Sequence, residues 1–267
     1  MRRKSRIAQQ RARNYALMGI LFIVAIVIVI GGVFWWMGQR PQPLNPITLC
    51  PAQGPLGHQV LLVDRTAPFN QAQKAAFDNL TKDMVAKLPV GYLFSVFVLG
   101  DDFKTETKPL IELCNPGYGQ DKSELTQNTK ALMNQYKSGF IQPMEKVTTE
   151  LLTSNAAKES PIIEMIQLVY LNSIQANKTQ GPVTLYILSD RMQFSTAFDM
   201  YKSSPNFEKY QSTYLAKKLW VDLGVVDVHV ILLNNNIKNE SPAFLNFWNS
   251  YFKHANVKTL EITNLPG

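Results

Sequence analysis

Apolar residues along this chain fall into two patterns, one long unbroken run followed by short runs that alternate with helical spacing. The long run is Tyr15–Trp36, which contains no charged residue and is dominated by Ile, Val, Leu, Phe, Ala and Gly. About 22 residues at roughly 1.5 Å each let a helix cross the hydrocarbon core of a bilayer. The run ends on Trp35 and Trp36, as interfacial aromatic residues do. The pattern predicts a transmembrane helix over residues 15–37.

A cleaved secretory signal peptide is the competing interpretation of this run. A signal peptide has an apolar region of roughly 7–15 residues, followed by small residues at a cleavage site. Here the run is longer and ends in WWMGQRP, which favours an uncleaved anchor. Residues 1–14 hold six basic residues and no acid. The positive-inside rule therefore places this tail in the cytoplasm and residues 38–267 outside the inner membrane.

The net charge of +7 belongs mainly to the basic tail. Removing its six basic residues from the 27 Lys and Arg leaves 21 against 20 acidic residues. The rest of the chain is close to neutral, so we expect no nucleic-acid binding by the folded part.

After a linker with five prolines over residues 38–57, short apolar runs alternate with helical spacing. The predicted strands are Gln59–Val63, Tyr92–Leu99, Pro109–Leu113, Val183–Leu188, Val226–Leu233 and Val257–Ile262, and the predicted helices are Asn70–Leu88, Ser160–Gln175, Phe207–Trp220 and Ala243–His254. Further helical spacing around Pro143 indicates a helical insertion at about residues 120–158. Alternating strands and helices predict an α/β domain over residues 58–267, doubly wound, with a mostly parallel six-stranded sheet and helices on both faces.

Three loops of this domain carry acids and hydroxyls that an open sheet would bring together. Strand one ends on Asp64-Arg65-Thr66, strand four ends on Ser189-Asp190-Arg191, and the helix between them opens at Glu159-Ser160-Pro161. Ligands of open α/β sheets bind outside the carboxyl ends of the strands. These groups therefore converge if strands one and four are neighbours. Carboxylate and hydroxyl oxygens suit a hard cation such as Mg²⁺.

In these residues and in the order of its elements, the sequence resembles the von Willebrand factor A-like domains. Their metal-ion-dependent adhesion site has the pattern Asp-x-Ser-x-Ser after strand one, a Thr before the third main helix and an Asp after strand four. The resemblance implies a metal or ligand site formed by Asp64, Thr66, Ser160 and Asp190, where Ser160 is assigned by its place before a helix and Thr153 and Ser154 are the alternatives. It further implies that Asp64 and Thr66 are direct ligands of Mg²⁺ and that Asp190 acts through water.

The adhesion-site pattern is degenerate in this chain. Pro68 stands where the family has its second Ser, and Arg191 stands where a Gly often follows the second Asp. Arg65 and Arg191 also bring positive charge close to the expected cation, which weakens its binding. The alternative is a domain of this fold without the site, in which Asp64 caps a turn and Asp190 pairs with one of the two arginines.

The chain has two cysteines, Cys50 and Cys114, both on the predicted outer side of the membrane. An oxidising compartment favours a disulfide between them, and two free thiols are the alternative. In the family the third strand runs antiparallel at the edge of the sheet, so that it ends where strand one begins. The resemblance therefore implies a Cys50–Cys114 bridge that joins the linker to the sheet edge.

These features predict a bacterial single-pass inner-membrane protein with a periplasmic domain. Its expected role is non-catalytic, as a binding or scaffold subunit of an envelope-associated complex with protein partners, which include further copies of itself if the helical insertion mediates oligomerisation. The enzyme alternative is a metal-dependent phosphoester hydrolase with Asp64 as nucleophile, because haloacid dehalogenase-type phosphatases also have an acid at the end of strand one. Thr66 occupies the position of the second acid of those phosphatases, and the sequence has no clear catalytic lysine.

Overall fold

The computed structural model describes residues 2–38, 44–65, 69–99, 107–119, 129–153, 158–196, 198–202, 204–233 and 241–265. The chain divides into two units, Met1–Pro43 and Leu44–Gly267. The first unit holds helix α1, Arg2–Gly38. Its segment Leu17–Trp35 is long and apolar enough to cross a membrane, and no other helix in the described residues is. The side chains of this segment are exposed along its whole length, unlike those of a core helix in a soluble protein.

The second unit is built on a six-stranded sheet. Its strands are β1 Gly57–Asp64, β2 Tyr92–Leu99, β3 Ile111–Cys114, β4 Val183–Ser189, β5 Val226–Leu232 and β6 Thr259–Asn264. Their order across the sheet is β3-β2-β1-β4-β5-β6. β3 runs antiparallel to β2, and every other neighbouring pair is parallel. The predicted α/β architecture with a mostly parallel six-stranded sheet is confirmed, and strands one and four are neighbours.

Helices cover both faces of this sheet. They are α2 Gln71–Lys87, α3 Thr129–Tyr136, α4 Gln142–Thr153, α5 Ile162–Val169, α6 Gln175–Asn177, α7 Phe207–Gln211, α8 Tyr214–Leu219 and α9 Pro242–His254, with π-helical turns at Lys137–Ile141 and Tyr170–Ile174. On β1, Val60 and Leu62 pack with side chains of α5 and α9. Leu61 and Val63 point the other way and pack with α2 and α4. Burial on both faces explains the nearly continuous apolar runs of these strands.

Two predicted helical segments differ in detail from the structure. The helix predicted over Phe207–Trp220 is divided into α7 and α8, because the hydroxyl of Thr213 accepts the N–H of Ala216 (3.1 Å) and caps a new helix. A hydroxyl that bonds the local backbone in this way competes with helix continuation. Within the predicted insertion, residues 129–153 are helical. Pro143 is the second residue of α4, which directly follows the π-helical turn in which the N–H of Gln142 donates to the carbonyl of Lys137.

Residues 44–56, which the sequence assigns to the linker 38–57, are hydrogen-bonded to the sheet. The N–H of Cys114 donates to the carbonyl of Thr48 (2.8 Å), and the N–H of Leu56 donates to the carbonyl of Gly91 (2.9 Å). Cys50 and Cys114 form a disulfide across 64 residues, as the resemblance implies. Closing a loop of that length stabilises the fold by about 4 kcal/mol in the chain-entropy model.

Candidate functional site

The ends of β1 and β4 meet at a buried acidic site. Asp64 is the last residue of β1, and its Oδ2 accepts hydrogen bonds from the hydroxyls of Ser189 (2.7 Å) and Ser160 (3.1 Å). The two serines lie 125 and 96 residues away along the chain. All three residues are at most 2% exposed. A buried carboxylate needs such donors, because an unsatisfied charge is costly away from water. We call these three residues the Asp64 cluster.

Asp190 lies beside this cluster in a tight turn after β4. Its Oδ1 accepts the N–H of Met192 (2.9 Å), and the hydroxyl of Ser189 accepts the N–H of Arg191 (2.9 Å). Arg191 adopts φ +64°, in the left-handed region that is uncommon for a residue with a Cβ. The indole N–H of Trp248 donates to the carbonyl of Arg191 (3.0 Å) and holds the turn against α9. Glycine adopts the left-handed conformation without strain, which explains why the family that the sequence resembles often has Gly at the position of Arg191.

Ser160 precedes the helix that the sequence predicts to begin with it. α5 begins two residues later, at Ile162, and Ser160 exchanges two backbone hydrogen bonds of 2.8 Å with Phe194. The side chain of Gln193 caps α5 instead, because its Oε1 accepts the N–H of Ile163 (2.9 Å) across 30 residues. The Ser160 hydroxyl is therefore available to donate to the carboxylate of the cluster. A cap supplied from so far along the chain leaves no local sequence signal.

Tyr201 is the exposed member of this region, with 55% of its surface accessible. Its ring contacts Phe194 edge-on, with centroids 5.9 Å apart. Partial burial raises the pKa of the Tyr201 phenol to about 12, with further contributions from the negative charges of Asp190, Asp64 and Asp199. The phenol therefore stays protonated at neutral pH and can donate a hydrogen bond within the field of the buried acids.

The structure brings together most of the residues that the sequence predicts for this site. Asp64 and Ser160 are in direct contact, and Asp190 lies in the next loop at the same end of the sheet. Thr66 lies outside the described residues. Ser189 was not among the predicted site residues, although it stands directly before Asp190. The signal that identifies it is the parallel pairing of β1 with β4, which sets Ser189 beside the end of β1.

The ligand atoms at this site can be compared with those that Mg²⁺ prefers. The described residues supply only oxygen donors here, and they contain no group of three or more His, Cys, Asp or Glu that could hold a metal ion. A serine hydroxyl that donates its hydrogen to a carboxylate keeps its lone pairs, so Ser160 and Ser189 can still turn oxygen toward a hard cation. The donor types therefore fit Mg²⁺, and the positive charge of the neighbouring buried Arg191 opposes it.

A second polar cluster, with three buried residues and one half-buried acid, lies at the opposite end of the sheet. Nε2 of His58 lies 2.8 Å from the hydroxyl of Ser95, and the hydroxyls of Ser95 and Ser173 donate to Oε2 of Glu112 at 2.9 and 3.0 Å. Because Ser95 gives its hydrogen to Glu112, Nε2 of His58 carries the proton and its buried Nδ1 has no hydrogen-bond partner among the described residues. Burial lowers the pKa of His58 to about 4, so the imidazole is neutral at pH 7. We call these four residues the His58 cluster.

No protein-family model matches this chain, and no curated protein matches its sequence significantly. The fold and the site define the class of protein: a doubly wound α/β unit with an acidic site where β1 and β4 end. The same chain carries a helix that is long and apolar enough to cross a membrane.

Proposed function

We propose that this chain is a membrane-anchored scaffold subunit of a cell-envelope complex, with a von Willebrand factor A-like interaction domain formed by its second unit. α1 would cross the inner membrane once, with the basic tail in the cytoplasm and the domain in the periplasm. The Cys50–Cys114 disulfide supports the oxidising side of the membrane for the domain, because disulfides rarely persist in the cytoplasm.

The observation that carries this proposal is the strand order β3-β2-β1-β4-β5-β6, with an acid and two hydroxyls joined where β1 and β4 end. Along the chain, strand addition proceeds to one side through β2 and β3 and then switches to the other side at β4. Open α/β sheets bind their ligands at such a switch point, outside the carboxyl ends of the strands. The antiparallel edge strand β3 agrees with the family that the sequence resembles.

Burial of Asp64 supports a binding role over the hydrolase alternative. A nucleophilic carboxylate must reach the phosphorus of its substrate, but Asp64 is buried and its Oδ2 is held by two serine hydroxyls. In the binding role, Asp64 fixes the loop after β4, and the exposed Tyr201 on that loop contacts the partner. A Mg²⁺ ion, where present, would be held by the buried oxygens of Asp64, Ser160 and Ser189 and would stabilise the loop after β4, while the partner contacts Tyr201.

Affinity purification of the intact chain from its native membranes tests the proposal. The wild-type chain should retain the same envelope protein in constant ratio, and Tyr201→Ala should reduce that ratio by about tenfold or more, as a buried interface aromatic does. Tyr214→Ala is the matched control, because Tyr214 is an exposed tyrosine of α8, away from the end of β4.

A chain that elutes alone, or equal retention by Tyr201→Ala and Tyr214→Ala, would contradict the scaffold role at this site. Turnover of a generic phosphoester that Asp64→Asn abolishes would establish the hydrolase instead. Calorimetry with Mg²⁺ tests the ion separately, since absence of heat removes the metal from the proposal and leaves the protein interaction.

A further inference from the structure

The amino ends of the parallel strands form a surface at the opposite end of the sheet from the Asp64 cluster. The loops before β1, β2 and β4 meet there, because the N–H of Leu56 donates to the carbonyl of Gly91 and the N–H of Gln180 donates to the carbonyl of Pro55. The loop before β5 contacts the end of α9, which leads into β6, because the indole N–H of Trp220 donates to the carbonyl of His254 (3.3 Å). We define the amino-end surface by its exposed members Ile47, Leu56, Val90, Lys178, Lys217, Lys218, Trp220, Val225 and Lys253.

Large apolar side chains project from several of these loops. Ile47 and Val225 are 81% and 68% exposed, and Leu56, Val90 and Trp220 are about half-exposed or more. They belong to the loops before three different strands, so the exposure is a property of the whole surface. Apolar side chains at loop tips that share one end of a domain are suited to the boundary between lipid headgroups and acyl chains.

Three lysines lie on the Trp220 side of this surface, at the ends of α8 and α9, without salt-bridge partners among the described residues. Lys217 and Lys218 lie in the last turn of α8 and Lys253 in the last turn of α9. Among the described residues none of the three forms a salt bridge, whereas the ion pairs that are present involve other lysines. Asp222 is a nearby acid, and its Oδ1 accepts hydrogen bonds from Gly224 and Asn256. The surface therefore presents a local excess of positive charge on a domain that is close to neutral.

The chain reaches this surface from the apolar helix. Five residues, 39–43, join Gly38 at the end of α1 to Leu44, and an extended connection of that length spans roughly 20 Å at most. Leu44 begins the segment that leads into the amino end of β1. If α1 spans a membrane, a connection of this length limits the distance between the end of α1 and Leu44.

We propose that the amino-end surface binds the outer face of the bilayer, with Trp220 and the loop-tip apolar residues at headgroup depth and Lys217, Lys218 and Lys253 against anionic lipid headgroups. Tryptophan is enriched at that depth, and lysines are attracted to anionic lipid. The inference rests on the membrane anchoring proposed above. It leaves Tyr201 and the loop after β4 at the far end of the sheet, where a protein partner has access.

Amine footprinting of the intact chain in lipid vesicles tests this inference. The chain is reconstituted into vesicles of phosphatidylcholine alone or of equimolar phosphatidylcholine and phosphatidylglycerol, labelled with a membrane-impermeant amine reagent, and read by mass spectrometry. Lys146 on α4 is the internal reference, because it is exposed and forms no salt bridge among the described residues. Relative to Lys146, labelling of Lys217, Lys218 and Lys253 should be about threefold lower in the anionic vesicles than in detergent, and high salt should reverse part of the protection.

A matched pair of variants tests the apolar part of the contact. Trp220→Ser should reduce the protection of Lys217, whereas Tyr214→Ser, which removes an exposed aromatic at the other end of α8, should leave it unchanged. Equal protection in both variants would contradict the role of Trp220 in the lipid contact.

The outcomes separate this inference from the anchoring on which it depends. Lysines that are labelled equally in detergent and in anionic vesicles overturn it, and flotation of the chain with those vesicles would show that the anchor still holds. A chain that does not float with vesicles removes both the anchor and the lipid contact. Protection that appears in native membranes and not in lipid vesicles assigns the surface to an acidic protein and overturns the lipid proposal.

Discussion

Acid should destabilise the second unit through His58, because its buried imidazole is neutral in the folded state. Burial lowers the pKa of His58 from 6.5 to about 4, and unfolding restores the ordinary value. Between these two pH values the unfolded chain binds more protons than the folded chain, so the free energy of unfolding falls as the pH falls. The contribution of His58 to stability is fully present above about pH 6.5, and it is lost progressively down to about pH 4.

The magnitude follows from the two pKa values and the surroundings of the ring. The lowering of the His58 pKa from 6.5 to about 4 corresponds to a total contribution of about 3 kcal/mol to the free energy of unfolding. About 2 kcal/mol of this contribution is lost by about pH 5. The added proton would go to Nδ1, which has no hydrogen-bond partner among the described residues. Glu112 is the acid of the cluster, but the hydroxyls of Ser95 and Ser173 both donate to its Oε2, and Ser95 stands between it and the imidazole.

Urea unfolding of the intact chain in detergent, followed through the buried Trp248, measures this effect at about pH 8 and about pH 5. From about pH 8 to about pH 5, the free energy of unfolding should fall by about 2 kcal/mol more in the wild-type chain than in His58→Gln. The glutamine side chain can still donate to Ser95 but does not titrate. His254→Gln removes an exposed histidine and should behave as the wild type does. Equal losses in wild type and His58→Gln would refute the reasoning.

Four further variants test the other long-range contacts. Replacing Cys50 and Cys114 by Ala should lower the free energy of unfolding, measured in urea without reductant, by about 4 kcal/mol, and a loss below about 1 kcal/mol would contradict that role. Asp64→Ala should lower the free energy of unfolding by about 2–5 kcal/mol in the same assay, because two buried hydroxyls lose their acceptor. Ser160→Ala should lower it by about 1 kcal/mol. Equal losses in the two variants would argue against the Asp64 cluster. Gly181→Ala should lower the Tm measured by circular dichroism, because its Cβ would overlap a backbone carbonyl of the loop before β1, and an unchanged Tm would contradict the close approach.

The strands show which parts of the fold a local pattern can predict. β2 has the predicted bounds, Tyr92–Leu99, because a strand buried on both faces is a continuous apolar run. β6 was predicted at Val257–Ile262 and instead spans Thr259–Asn264, because an edge strand with alternating burial has no such run. The alternation of elements predicts a parallel sheet, but the antiparallel β3 and the disulfide were implied by the resemblance and do not follow from periodicity.

The His58 cluster was not predictable, although each of its residues lies in an element whose existence was predicted. His58, Ser95 and Glu112 meet only because β1, β2 and β3 pair in a particular register. Ser173 joins them from a π-helical turn, 115 residues from His58. A sequence pattern indicates which face of an element is apolar, but it does not specify which polar residue of a distant element will lie opposite.

The Asp64 cluster shows how core packing determines a site that no motif specifies. Ile187 packs on the α5 face of the sheet and Leu188 on the α2 face, so the alternation along β4 directs Ser189 to the α5 face. The same alternation along β1 directs Asp64 to that face, and the segment before α5 delivers Ser160 there. A slip of β4 by one residue would turn Ser189 away and expose Ile187 to the wrong core. The apolar residues that hold the two strands in register therefore also hold the hydroxyls on the carboxylate, and the site can exist only as long as both cores are packed as they are.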